Sequence, residues 1–116
     1  MWRYILEAFF PNTQVVAGLG SYHGTQIPLI FGTYETKGVT PDQIKLSKFM
    51  QRAYADFAKN PVKGPGWNRL GTTRKDLGLL GGKSKKDGVT NIPEEPTDAK
   101  CSLYPSILDP PTTATE

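Results

Sequence analysis

Few residues of this 116-residue chain carry side chains suited to catalysis. There is one histidine, His23, one cysteine, Cys101, and five serines, Ser21, Ser47, Ser84, Ser102 and Ser106. An imidazole with an unperturbed pKa of about 6.5 is mostly neutral yet protonatable near neutrality, which is what a general base requires. A serine becomes an acyl-transfer nucleophile on a sharp strand-to-helix turn of the pattern Gly-x-Ser-x-Gly, where the glycines permit the strained turn. None of the five serines sits in that pattern, and the start made by Gly82, Lys83 and Ser84 fails at Lys86. Taken alone, His23 beside Gly24 reads as a surface or structural residue. A lone cysteine forms no internal bridge, and one histidine with one cysteine makes no zinc cluster, so no metal and no cofactor is expected.

The elements that must position His23 follow from local pattern. Trp2 to Ala8 alternates Trp2, Tyr4 and Leu6 against Arg3, Ile5 and Glu7, which predicts a strand. Phe9, Phe10, Pro11 and Asn12 break it, and Asn12 to Tyr22, with Gly18 and Gly20, reads as a loop. Thr25 to Phe31 predicts a short buried helix stopped by Gly32; a helix beginning at Thr25 would set its positive end against an imidazolium at His23. The clearest element is a helix from Pro41 to Lys59. Thr40 is its N-cap, Pro41 fits the first helical position, Gln43 completes a Thr-x-x-Gln capping box, and Val39 with Ile44 occupies the positions of a hydrophobic staple. Leu46, Met50, Ala53, Tyr54 and Phe57 mark its core face, and Lys45, Lys48, Arg52, Asp56 and Lys59 its solvent face. Pro61 ends it. A short strand is expected at Leu77 to Leu80, and Trp67 is expected to cover apolar surface. Beyond Gly81 the chain reads as polar loop, apart from Leu103, Tyr104, Ile107 and Leu108, which could dock a tail.

Composition limits what such elements can build. The 12 glycines and 10 prolines make up about a fifth of the chain, against typical usage of about 7% and 5%. Leucine, isoleucine, valine and phenylalanine account for 26 of the 116 residues, just above the range in which disorder sets in, and most of them lie in the first half. The net charge of +3 and pI near 9.0 reflect 14 basic and 11 acidic residues. Lys83, Lys85 and Lys86 form the densest basic cluster, without the interleaved aromatics of a nucleic-acid site, so a solvated loop is expected there and no nucleic-acid partner. No segment approaches the roughly 20 apolar residues of a membrane span. The start MWRYILEAFF carries Glu7 and lacks a small-residue cleavage pattern, unlike a signal peptide. Compartment and oligomeric state are not legible.

A longer pattern gives His23 a role. SYHGTQIPLIFGTY, Ser21 to Tyr34, resembles the histidine motif near the C-terminal end of type-B carboxylesterases and lipases, the cholinesterase-like branch of the α/β-hydrolases. WRYILEAFFPNTQ, Trp2 to Gln14, resembles the strand before that motif; the capped helix ending in FAKNP and the following GPGW resemble the helix and loop after it. CSLY, Cys101 to Tyr104, is similar to the tail of fungal members. The resemblance implies an α/β fold of which this chain is a C-terminal fragment: one or two strands, a histidine loop, a short helix, one long amphipathic helix and an irregular tail. It implies that residues 1–80 belong to the catalytic domain and 81–116 to a loop-rich, partly disordered tail. It implies that His23 is the triad histidine of a carboxylic-ester hydrolase, a general base toward a serine, in keeping with the chain order nucleophile, acid, histidine. Gln26 stands where family members usually carry glutamate, keeping a hydrogen-bonding shape without the charge. Nucleophile, acid and oxyanion loop lie outside the chain, so the isolated chain is expected to be inactive and to leave strand edges unpaired. The alternative is a non-catalytic remnant acting as an interaction segment; a basic binding module would rest on pI alone.

Overall fold

In the computed structural model, residues 1–103 are described. Strand β1 (Arg3–Leu6) is followed by a 3-10 turn at Pro11–Thr13, helix α1 (Ile27–Phe31), helix α2 (Pro41–Lys59), strands β2 (Leu77–Gly82) and β3 (Lys85–Ile92), helix α3 (Glu95–Asp98) and a 3-10 turn at Cys101–Leu103. Helix α2 has the expected bounds. The Thr40 side chain accepts from the Gln43 backbone N–H at 3.2 Å, and Asp42 lies in the first turn. The other half of the capping box does not form: the Gln43 side chain is fully buried, and its amide has no hydrogen-bond partner among the described residues. Core packing has taken this side chain from its capping position.

The sheet runs in the order β1-β2-β3. β1 and β2 are parallel, Arg3 opposite Leu77 and Leu6 opposite Leu80, so α1 and α2 form the crossover of a β-α-β unit. β3 returns antiparallel, with Leu77 opposite Ile92, through a hairpin in which Gly82 faces Lys85. Gly81, at φ +66°, supplies the irregularity between Leu80 and Gly82. Leu46, Met50 and Ala53 of α2 meet Leu29, Phe10, Trp67 and Leu80 in one apolar core. Burying a leucine or methionine side chain there contributes about 1.5–3 kcal/mol.

The short helix is real but begins at Ile27 rather than Thr25, and Gly32 ends it in the left-handed conformation at φ +65°. Only Leu29 of α1 is buried, while Ile27 and Phe31 are exposed; the expected all-round burial of this segment is corrected. Tyr54 and Phe57, on the α2 core face by spacing, are also partly exposed. The largest departure is β3. The sequence from Gly81 onward reads as loop, yet Lys85–Ile92 pairs along β2, giving three strands where one or two were expected. Lys85, Lys86 and Asp87 hide the strand because they lie on a sheet edge, where charge is tolerated and discourages further pairing. Tyr104, Ile107 and Leu108 lie outside the described residues.

Helix α3 is tied back to β1. The Arg3 guanidinium donates to both carboxylate oxygens of Asp98 at 2.7 Å, and Glu94 lies 4.0 Å away. The Arg3 hydrogen bonds hold the Asp98 carboxyl below its ordinary range, outweighing the opposing effect of burial. Before β2, the buried Asp76 closes a turn by accepting from the Thr72 and Thr73 backbone N–H groups at 3.0 and 2.8 Å and from the Thr73 hydroxyl. Burial would raise its pKa, but these donors win and hold it low.

Candidate functional site

His23 lies in a turn between β1 and α1 and is exposed. The preceding loop is held by side chains that reach backbone carbonyls. Ser21 Oγ donates to the Leu6 carbonyl at 2.7 Å, fastening the turn to the last residue of β1. Gln14 Nε2 donates to the Gly20 carbonyl at 2.9 Å, and the Tyr22 hydroxyl to the Thr13 carbonyl at 2.8 Å. Backbone bonds from Thr25 to Tyr22 and from Ile27 to Gly24 tighten the turn itself. Gly24, at φ +92°, takes a conformation that a residue with a Cβ rarely adopts, and so sets the chain direction directly after His23. His23 is thus presented just beyond the carboxyl end of a parallel strand, where open α/β sheets carry their ligands.

No hydrogen bond or ion pair engages the imidazole among the described residues. Two of the serines are occupied elsewhere: Ser21 on Leu6, and Ser47, buried in α2, donating to the Leu29 carbonyl at 2.6 Å while accepting from Gln51 Nε2 at 3.0 Å. Gln26 contributes its carbonyl to α1, accepting from the Leu29 and Ile30 N–H groups at 3.1 and 3.0 Å. The segments that precede and follow the turn in sequence carry exposed apolar side chains, among them Phe9, Val15 (76% exposed), Val16, Leu19 and Phe31 (71%). β1 pairs only with β2 among the described residues, so its other edge is open there. The described residues contain no group of three His, Cys, Asp or Glu that could hold a metal ion, and no helix long and apolar enough to cross a membrane. Cys101 is exposed.

An apolar cleft was not legible in the sequence. At the start of β1 a cleft of about 410 Å³ is lined by Trp2, Tyr4, Tyr54, Phe57 and Trp67 together with Met1, Pro61 and Pro65. Trp2 meets Phe57 edge-on at 5.6 Å between ring centroids, and Tyr4 meets Trp67 at 5.7 Å. The Tyr4 and Tyr54 hydroxyls are 2.7 Å apart, and burial, reinforced by that bond, pushes the Tyr4 phenol well above its ordinary pKa. Trp67 covers apolar surface as expected, lying so close on Gly78 that a Cβ there would come within 2.9 Å of the indole. Gly64, at φ +83°, gives Trp2 its place, since a Cβ would overlap the Trp2 ring. The signal available in sequence was the recurrence of aromatics at Trp2, Tyr4, Tyr54, Phe57 and Trp67, three segments that only the fold brings together.

Neither a family model nor a solved structure matches this chain. Two curated proteins do. Over 72 residues, 59% of this chain and 14% of the relative, it is 39% identical to Secreted lipase 5 of Gibberella zeae. Over 108 residues, 91% of this chain and 17% of the relative, it is 30% identical to Chlorogenic acid esterase of Aspergillus niger. The chain therefore spans less than a fifth of the length of either relative. Its similarities are to a lipase and an esterase, and its small mixed sheet with crossover helices is compatible with a fragment of an α/β fold.

Proposed function

We propose that this chain is the histidine-bearing C-terminal portion of a type-B carboxylesterase or lipase, a carboxylic-ester hydrolase of the α/β-hydrolase fold. In it His23 accepts the proton of a serine nucleophile and passes it to the leaving alcohol, then takes a proton from the water that attacks the acyl-serine and gives that one to the serine. The observation that carries this reading is the exposed, unengaged His23 in a turn fastened by Ser21 to the end of β1, within a chain similar to a lipase and an esterase. An imidazole with no partner among the described residues is available to a hydroxyl and a carboxylate supplied from elsewhere. The exposed Phe9, Val15, Val16 and Leu19 of the segment before it suit the same reading, since exposed apolar side chains in number mark a surface that another part of a protein or a ligand covers.

Chemistry sets the expected activity of the 116 residues alone. Loss of the nucleophile by itself costs a serine hydrolase about 2 × 10⁶-fold in turnover, and the oxyanion donors are missing here as well. Hydrolysis of p-nitrophenyl butyrate by the isolated chain should match that of its His23→Ala variant. In a longer polypeptide that supplies a Gly-x-Ser-x-Gly element, the same substitution should lower kcat by about 10⁴-fold or more. A longer polypeptide that hydrolyses esters equally well without His23 would end this assignment.

A further inference from the structure

The turn that carries His23 runs into helix α1 as one series of backbone hydrogen bonds. The Thr25 N–H donates to the Tyr22 carbonyl at 3.0 Å, Ile27 to Gly24 at 3.1 Å, and Leu29 and Ile30 to Gln26 at 3.1 and 3.0 Å. Whatever fixes α1 therefore fixes the direction in which His23 is presented. With five residues, α1 is too short to persist on its own hydrogen bonds, so its place is set by contacts with the rest of the chain. Leu29 is its one buried side chain. The Leu29 carbonyl, near a helix end where carbonyls lack an internal donor, receives the Ser47 hydroxyl of α2 at 2.6 Å. Ser47 has no exposed surface, so its loss would leave that carbonyl buried without a donor. A hydroxyl has a single proton, and Gln51 Nε2 donates to the same oxygen at 3.0 Å, which commits the Ser47 proton to Leu29. The Gln51 amide also lies against Gly32, the left-handed residue that ends α1; a Cβ there would come within 3.0 Å of it.

We propose that Ser47, its proton directed by Gln51, is a positioning residue for His23, holding α1 so that the imidazole stands where a proton transfer requires it. This role rests on His23 being the general base of an ester hydrolase. The test uses the native polypeptide that contains this sequence, with p-nitrophenyl butyrate as substrate. Counting kcat per active site titrated with diethyl p-nitrophenyl phosphate keeps misfolded protein out of the rate. Ser47→Ala should lower that kcat about tenfold, within the roughly 10²-fold that a displacement of about 1 Å can cost, and leave KM within about twofold. Gln51 is exposed, so its variants leave the core intact and carry the test even if Ser47→Ala does not fold. Gln51→Ala should lower kcat about threefold, the smaller effect of a hydroxyl left free to turn. Gln51→Lys, which still presents an N–H donor, should restore most of it. A kcat per titrated site unchanged in folded Ser47→Ala or in Gln51→Ala, wherever the urea midpoint moves, would overturn the proposal. A loss confined to KM, or a Gln51→Lys variant no better than Gln51→Ala, would do the same. If His23→Ala leaves kcat unchanged, the general-base reading itself fails; a large loss there with none at Ser47 or Gln51 removes the positioning role alone.

Discussion

The two ends of β1 are built on different principles. At its start, Trp2 and Tyr4 lie against Phe57, Tyr54 and Trp67, and the contact continues into the core through Met50 and Ala53. At its end, the loop carrying His23 is held by single hydrogen bonds from Ser21, Gln14 and Tyr22 to backbone carbonyls, while Val15, Val16 and Leu19 point outward. Hydrophobic packing holds the first region whatever surrounds it. The second has a defined backbone path and an uncovered apolar surface, the arrangement expected where function depends on groups brought from elsewhere.

The contrast can be sharpened by substitution. The largest stability loss is expected in the core: Leu46, with no exposed surface, should cost about 2–5 kcal/mol on replacement by alanine, read as a shift in urea midpoint. Thr40→Ala, removing the side chain that caps α2, should cost about 1 kcal/mol in the same assay. Val15→Ala, at 76% exposure in the histidine loop, should stay within about 0.5 kcal/mol. A loss at Val15 as large as that at Leu46 would erase the distinction between the two regions.

Acid provides a further probe. Asp76 and Asp98 both titrate below their ordinary range in the folded chain, so the unfolded chain binds protons first as pH falls. The stability they contribute is present above the ordinary aspartate value of about 3.9 and is lost as pH drops through their lower folded values. Asp98→Asn should flatten the part of this dependence that comes from Arg3 holding α3 against β1, and the slope of stability against pH between 2 and 5 is the measurement.

How much of this was legible in sequence follows the locality of the signals. Helix α2 was readable because Thr40, Pro41, Asp42 and the apolar spacing of Leu46, Met50 and Ala53 are all local and agree. β1 was readable from alternation, although the ladder takes only Arg3–Leu6 of the longer apolar run. β3 was not, because Lys85, Lys86, Asp87 and Gly88 have the composition of a loop and become a strand only through pairing with the apolar β2. The buried amide of Gln43 went the other way, since its spacing announces a reciprocal cap and its burial prevents one. His23 could be singled out because it is the lone histidine, but its exposure and its fastening through Ser21 to Leu6 are properties of the folded loop.

The central claim is that His23 serves a hydrolytic site whose other members lie outside these 116 residues. The mass of the native protein that contains this sequence tests that claim most directly. The account predicts a polypeptide several times heavier than 12.8 kDa. A native protein of 12.8 kDa, functioning without a companion chain, would contradict it.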